Sequence, residues 1–356
     1  MKKEIKKMLF SGGGTGGSVA PLLALVNSLK KEGSYEFLFV GTKNGVEKEM
    51  VKSVGLKYKS ITAGKLRRYF SLENFIDPFK ILIGFFESLA LLTDEKPDVI
   101  ISAGSFVSVP LVWAGWLFNI PVLIHQQDAR PGLANKLMAP CAKKITVTFK
   151  KSLADYGQKA AWVGNPIQLI NNSRELSKGE ILKKFNLKDD MSTVLITGGG
   201  TGAAAINNLV YESLDELVKF CQIVHLTGKN KTKDVKKENY QQIELLEQNK
   251  MYEIMRVSDL VITRAGLSTL TEISYFSIPA MIIPMPESHQ EDNAEIFSKK
   301  EAALVLDQRE LNKEKFVSSV KNILKDKVLK EKLSKNISGV IKKGASEEII
   351  KIIKDL

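Results

Sequence analysis

Met8-Leu-Phe-Ser-Gly-Gly-Gly-Thr-Gly-Gly-Ser-Val-Ala-Pro-Leu-Leu-Ala-Leu-Val26 runs from an apolar stretch through a glycine cluster into a second apolar stretch. Met8-Leu9-Phe10 reads as a strand end and Gly12 to Gly17 as a tight loop. Leu22, Leu23, Val26 and Leu29 recur at helical spacing behind Pro21, which suits a first helical turn. The same strand, glycine loop and helix return at Thr193-Val-Leu-Ile-Thr197, Gly198-Gly-Gly-Thr201-Gly202 and Ala203-Ala-Ala-Ile206. A second echo links Asp98-Val-Ile-Ile-Ser-Ala103-Gly104 with Asp259-Leu-Val-Ile-Thr-Arg-Ala265-Gly266. Each is followed by a helix-like stretch and an Ile-Pro strand, at Ile120-Pro121 and Ile278-Pro279.

Alternation of short apolar runs with helical periodicity predicts α/β architecture: two facing doubly wound Rossmann-like domains, each a parallel sheet covered by helices. The break at Trp162-Val-Gly164-Asn165-Pro166 places the hinge. The expected division is 1–164, 165–335, and a C-terminal helix over 336–356 able to pack back on the first domain. Ligands of such sheets bind at the carboxyl ends of the strands.

The chain has 356 residues, 44% hydrophobic and 26% charged, which supports buried cores and excludes a disordered chain. Cys141 and Cys221 stand far apart without ligand spacing, pointing to a reducing compartment and no structural zinc. Met1 to Phe10 has too short an apolar run for a signal segment. Val99 to Gln127 carries no formal charge and is long enough for a bilayer, but Gly104, Pro110, Gly115, Asn119 and Pro121 interrupt it. Two buried strands flanking a helix explain it better. The net charge of +12 comes mostly from scattered lysines, with arginine at only seven positions, so no nucleic-acid partner is expected. Basic and aromatic residues concentrate at Lys65-Leu66-Arg67-Arg68-Tyr69-Phe70 and continue through Phe75, Phe79, Phe85 and Phe86. That pattern suits reversible contact of Arg67, Arg68, Phe70 and Phe79 with an anionic membrane surface, with ordinary core packing as the alternative for several phenylalanines.

A repeated GGGTG loop with a helix behind it offers converging backbone N–H groups to a phosphate or sugar oxygen. A nicotinamide reading fails because Tyr35 to Val40 ends in Gly41-Thr42-Lys43, with no acidic residue for a ribose hydroxyl. Neither loop has the Lys-Ser ending of a Walker motif.

Gly13 to Gly17 with Pro21, Gly41-Thr-Lys-Asn-Gly45, Gly64-Lys-Leu-Arg-Arg-Tyr69 and Gly132-Leu-Ala-Asn135-Lys136 form an ordered series. It continues through Gly164-Asn-Pro166, the second glycine loop, Arg264-Ala-Gly266 with Glu272, and His289-Gln290 with Asn293-Ala294. In this order they resemble the MurG family over nearly the whole length. Those glycosyltransferases move N-acetylglucosamine from UDP-N-acetylglucosamine onto a polyprenyl-diphosphate-linked muramoyl-pentapeptide, converting lipid I to lipid II in peptidoglycan synthesis. The resemblance implies a fold of GT-B type, inverting transfer, and peripheral association with the cytoplasmic face of the cell membrane. A related UDP-sugar transferase with another lipid acceptor, or a paralogue that binds UDP-sugar without turnover, remains open.

The resemblance places Gly200, Thr201 and Gly202 beside the donor diphosphate. It places Arg264, Gly266, Leu267, Ser268, Thr269, Leu270, Thr271 and Glu272 near phosphate and ribose, with Gln290 and Asn293 nearby. Thr15, Gly16, Gly17, Asp128 and Asn135 fall on the substrate face of the first half. Arg264 suits a phosphate clamp and Glu272 a carboxylate accepting both ribose hydroxyls, against the plainer readings of surface residues. No D-x-D pair occurs, so no metal and no cofactor are expected. The departures are Ser18 for histidine, Phe106 for tyrosine, Gln126-Gln127-Asp128 for Glu-Gln-Asn, Gln168 for arginine and Gly200 for serine. Ser18 cannot act unaided as a base at neutral pH. Asp128 is the candidate base, or the group that orients His125, with a cap on the Ala129-Arg130-Pro131 turn as the alternative.

Overall fold

The computed structural model describes residues 6–64, 73–168, 176–200 and 202–356, with the backbone alone at 73–75. Lys65, Leu66, Arg67, Arg68, Phe70, the side chain of Phe75, and Thr201 lie outside the described residues. The chain forms two compact units, Met1–Leu169 with Lys342–Leu356, and Ile170–Ile341.

The first unit is built on seven parallel strands: β1 (Lys7–Ser11), β2 (Glu36–Gly41), β3 (Lys57–Ser60), β4 (Val99–Ser102), β5 (Val122–Gln126), β6 (Lys144–Val147) and β7 (Ala160–Trp162). Their order is β3-β2-β1-β4-β5-β6-β7. The central strands are buried on both faces, which is why they read as continuous apolar runs without alternation. Helices α1 (Ala20–Glu32), α2 (Glu47–Ser53), α3 (Glu73–Glu95), α4 (Ser108–Leu117) and α5 (Leu133–Met138) cover the sheet. The uncharged span thus resolves into β4, α4 and β5, and among the described residues no helix is long and apolar enough to cross a membrane.

The second unit carries α6 (Lys178–Lys184), β8 (Thr193–Thr197), α7 (Ala204–Leu217), β9 (Gln222–Leu226), β10 (Tyr240–Ile243), α8 (Gln248–Val257) and β11 (Leu260–Thr263). It continues with α9 (Leu267–Phe276), β12 (Ala280–Ile282), α10 (His289–Lys299), β13 (Leu304–Val305), α11 (Lys313–Lys325) and α12 (Lys327–Ile337). Its six-stranded parallel sheet has the order β10-β9-β8-β11-β12-β13. The last helix, α13 (Ala345–Lys354), belongs to the first unit, where Ile349, Ile350 and Ile353 join Leu22, Val26 and Leu29 of α1 in one core. Each such side chain, fully buried, contributes about 1.5–3 kcal/mol. Lys342 leads into it, with its ammonium 5.4 Å from the centre of the Trp162 ring.

Both sheets reverse direction at the repeated element. β1 pairs with β2 on one side and β4 on the other, in register Ser11 to Ser102. β8 pairs with β9 and β11, in register Thr197 to Thr263. The GGGTG loops leave β1 and β8, and the two A-G echoes leave β4 and β11. Each unit therefore presents a glycine loop and a second loop side by side at its topological switch point, where open sheets leave a crevice.

Candidate active site

In the second unit the described residues of the loop after β8 are tied to near neighbours in the chain. The Gly199 N–H donates to Thr197 Oγ1 at 3.1 Å and the Gly202 N–H to the Gly199 carbonyl at 2.9 Å. Gly202 has φ +71°, and a Cβ there would lie 2.0 Å from the Thr227 carbonyl oxygen, so only glycine fits. Around Gly200 there is open space. Helix α7 starts at Ala203 without a side-chain cap, as do α8 at Glu247 and α9 at Gly266, whereas α6, α10, α11 and α12 are each capped by a side chain; of the three uncapped starts, those of α7 and α9 follow the switch-point strands β8 and β11. Two sets of unsatisfied N–H groups, with the positive ends of their helix dipoles, therefore meet at the switch point.

The loop between β11 and α9 is braced from α10. Gln290 Oε1 accepts from the N–H groups of Ala265 (3.3 Å) and Met285 (3.1 Å), and buried Asn293 donates to the Ala265 carbonyl at 3.2 Å. These two residues set the loop's shape. Arg264 is a correction to the phosphate-clamp expectation. Its Nη1 donates to the carbonyls of Ile283 and Pro284, both at 3.0 Å, and its Nη2 to Gln308 Oε1 at 2.6 Å. Desolvation pushes its pKa down. The guanidinium fastens the strand ends of the sheet, a task for which a planar fork of donors is suited. Within 267–272, Leu267, Thr269, Leu270 and Thr271 are buried, and Thr271 Oγ1 donates to the Leu267 carbonyl at 2.6 Å. The contribution of this stretch to a ligand is thus backbone N–H, plus the half-exposed Ser268 and Glu272. Glu272 retains some solvent exposure, yet the protein around it pushes its carboxyl up to about 8, chiefly through desolvation.

The first glycine loop is built differently. Gly13 N–H donates to Ser18 Oγ at 3.2 Å, and the Ser18 hydroxyl faces the carbonyls of Gly13 (3.2 Å) and Thr15 (3.3 Å). Ser18 is a strut of its own loop, which corrects its place among the catalytic candidates. Glu47, at the start of α2 and 0% exposed, accepts from Gly14 N–H at 3.1 Å, from Thr42 N–H at 2.8 Å, and from the Thr42 hydroxyl. A Cβ on Gly13 would lie 2.6 Å from its Oε1. Only the crest, Gly14 to Gly17, reaches solvent. Sequence reasoning missed Glu47, because an acidic residue in a first helical turn ordinarily signifies no more than dipole compensation.

His125 lies buried in β5 with Nδ1 against Thr146 Oγ1 at 3.0 Å and Nε2 against Asn165 Oδ1 at 2.8 Å. Burial pushes its pKa down to about 4. Both ring nitrogens have protein partners, so the expectation that Asp128 orients His125 gives way to a neutral structural histidine. Gln126 donates to the carbonyls of Asp128 (2.8 Å) and Arg130 (3.0 Å), while its Oε1 accepts from Asn135 and from the Tyr156 hydroxyl at 3.0 Å. Two donors and two acceptor positions are thereby satisfied, and an amide suits this place where a carboxylate would set oxygen against oxygen. Asn135 is a buried brace of the same loop. Asp128 stands half-buried on it, next to the switch-point crevice of the first unit.

On α3, Ile76, Phe79, Leu82, Ile83 and Phe86 form an exposed stripe, with Phe79 at 68% and Phe86 at 61%. Helix α4, packed beside α3, ends in exposed Trp116, Leu117 and Phe118. Phe85, placed in the membrane-facing series by sequence, packs against the core instead. The α4 end was legible only as part of an uncharged span.

Residues 8–147 match the Glycosyltransferase family 28 N-terminal domain and 193–351 the Glycosyltransferase family 28 C-terminal domain. The chain is 37% identical over 357 residues to the UDP-N-acetylglucosamine--N-acetylmuramyl-(pentapeptide) pyrophosphoryl-undecaprenol N-acetylglucosamine transferase of Clostridium tetani, covering 98% of this chain and 97% of that protein. It belongs to the MurG family. The protein of the same name from Clostridium botulinum (strain Langeland) is 37% identical over 95% of this chain and 99% of its own length. The crystal structure of Acinetobacter baumannii MurG shares the fold, with a TM-score of 0.76 at 23% identity, over 99% of this chain and 100% of that one. The fold is accordingly that of a GT-B glycosyltransferase.

Proposed function

We propose that this MurG-family enzyme transfers N-acetylglucosamine, with inversion, from UDP-N-acetylglucosamine to a lipid-linked muramoyl-pentapeptide, converting lipid I to lipid II. The observation that carries the donor side is the switch point of the second unit. There an open glycine loop and two uncapped helix N-termini lie side by side, and among the described residues no side-chain anion is hydrogen-bonded to them. Backbone N–H groups of Gly200 and of Leu267 to Thr269 take the diphosphate and stabilise the charge that develops on the leaving UDP. Glu272 accepts the ribose hydroxyls. Gln290 and Asn293 act by shaping the β11–α9 loop rather than by charge.

The acceptor belongs to the first unit. Thr15 to Gly17 form its exposed crest, and Asp128 is the group that takes the proton of the attacking sugar hydroxyl. The stripe on α3 and the end of α4 rest on an anionic membrane at its cytoplasmic face, where the lipid substrate is held. Sedimentation with anionic vesicles tests that contact: a Phe79→Ser, Phe86→Ser variant loses binding, and unchanged binding removes the patch. For the reaction, the purified protein receives radiolabelled UDP-N-acetylglucosamine and the muramoyl lipid. Labelled lipid II is the expected product, transfer only to a different lipid would reassign the acceptor, and donor binding without turnover would overturn the reading. In the same assay Asp128→Asn lowers kcat about a hundredfold with donor affinity intact, as a lost base requires, whereas wild-type kcat would reject that role.

A further inference from the structure

Helix α2 sets two side chains of one face against the first glycine loop, Glu47 beside Gly13 and Gly14 and Met50 beside Gly16. Glu47 is wholly buried, and its carboxylate gathers donors from two loops. The Gly14 N–H, after β1, reaches it at 3.1 Å; the Thr42 N–H, after β2, reaches it at 2.8 Å, together with the Thr42 hydroxyl. β1 and β2 pair in register Ser11 to Val40, so the two loops leave the sheet side by side. The backbone around the carboxylate leaves no room for side chains. A Cβ on Gly13 would lie 2.6 Å from Oε1, one on Gly45 2.0 Å from Oε2 and one on Gly41 2.9 Å from Cγ. The Tyr58 hydroxyl, from β3, donates to the Thr42 carbonyl at 2.5 Å and fastens the second loop in turn. Gly14 itself takes φ +79°, a left-handed turn between buried Gly13 and the exposed crest.

We infer that Glu47 is the positioning residue of the acceptor loop: by tying Gly14 to Thr42 it sets the shape in which Thr15 to Gly17 meet the acceptor. This rests on the assignment of the acceptor to the first unit. A run of glycines has little conformational preference of its own, and a loop left loose would charge the cost of its ordering to the substrate that binds it. A carboxylate suits the task because its two oxygens accept several donors at once, and a charged acceptor makes the stronger hydrogen bonds. Ser18 secures Gly13 alone, through the same loop, whereas Glu47 refers the loop to a second strand end. Being fully buried, Glu47 touches no substrate. Its effect therefore falls on acceptor binding and leaves the donor site in the other unit as it was.

The test uses the full chain with UDP-N-acetylglucosamine and the muramoyl lipid, each varied while the other saturates. Glu47→Gln keeps the shape but turns an N–H2 group toward backbone donors. It raises acceptor KM about tenfold, as expected when a hydrogen bond to a charged group is lost, while donor KM and kcat stay within twofold. Thr42→Val, which removes one donor and leaves the Gly14 tie, raises acceptor KM about twofold. The control is Val51→Ala, on the same helix but in the core of the first unit. It lowers the urea midpoint and leaves acceptor KM within twofold of wild type. If Val51→Ala raises acceptor KM as far as Glu47→Gln does, the stability of α2 accounts for the effect and the inference falls. Wild-type acceptor KM in both Glu47→Gln and Thr42→Val, or a donor KM that rises in step with that of the acceptor, would also overturn it while the proposed reaction stands. Absence of transfer to the muramoyl lipid by the wild type would instead reject the proposed reaction, and the inference with it.

Discussion

The same five residues, GGGTG, follow the first strand of both sheets, yet the two loops are prepared for different ligands. After β1 the loop is closed from within: Ser18 holds Gly13, and the buried carboxylate of Glu47 holds Gly14 and Thr42. After β8 no side-chain anion enters among the described residues; the Thr197 hydroxyl takes one N–H, and the space around Gly200 is open. A carboxylate inside the first loop opposes a phosphate there, while the N–H groups of the second loop and of two helix starts favour one. A glycine pattern therefore specifies a backbone shape, and the residues packed beneath it decide the charge it accepts.

The sharpest way to break this comparison is at Gly202. An added Cβ would meet the Thr227 carbonyl at 2.0 Å in a backbone with φ +71°. Gly202→Ala should cost about 3–5 kcal/mol of stability in the second unit and abolish UDP binding, read by urea unfolding and calorimetry. A mild effect would mean that the loop rearranges freely.

Acid compares the two units next. His125 in the first and His225 in the second are both buried, with pKa values pushed down to about 4 by desolvation from an unfolded value near 6.5. The neutral imidazoles are favoured in the folded chain, so their contribution is complete above pH 6.5 and is lost as pH falls through 4. The loss approaches about 3 kcal/mol for each at the acid limit. Urea midpoints should fall over that window in both units, and a His125→Gln, His225→Gln variant should show a shallower fall.

Glu47→Gln is the corresponding challenge to the first loop. The amide sets an N–H2 group against backbone N–H donors, at a cost of about 2 kcal/mol, seen as a lower urea midpoint for the first unit. UDP affinity should remain within twofold of wild type, because the donor loop is untouched. A matching loss of UDP affinity would show that the loops do not divide the work.

The fold was legible because its decisive signal is local and repeated: strand, glycine loop, helix, twice, with a second echo marking the partner strand at each reversal. The site was legible as a set of positions and less so as a set of roles. Arg264 ends a strand at the expected place, but a sequence does not tell which way a guanidinium turns, and here it closes on the carbonyls of Ile283 and Pro284. Ser18 and Gln126 read as departures from a catalytic pattern, whereas each satisfies backbone groups of its own loop. Glu47 escaped notice because its partners, Gly14 and Thr42, lie on two loops that follow different strands, a convergence that no short-range spacing records. Trp116, Leu117 and Phe118 escaped for another reason: within an uncharged span, buried and exposed apolar residues look alike.

The division of labour between the loops is measured most directly with a matched pair of substitutions. Gly16→Ala in the first loop meets only the Met50 side chain, its sulfur at 3.5 Å, and Gly200→Ala in the second meets nothing within 4 Å, so neither need disturb the fold. UDP is titrated into both variants by calorimetry. The account predicts that Gly200→Ala weakens UDP about fivefold or more, as expected when a methyl group crowds a backbone hydrogen bond to phosphate, while Gly16→Ala binds as wild type does. Equal weakening in both variants, or weakening in Gly16→Ala alone, would contradict it.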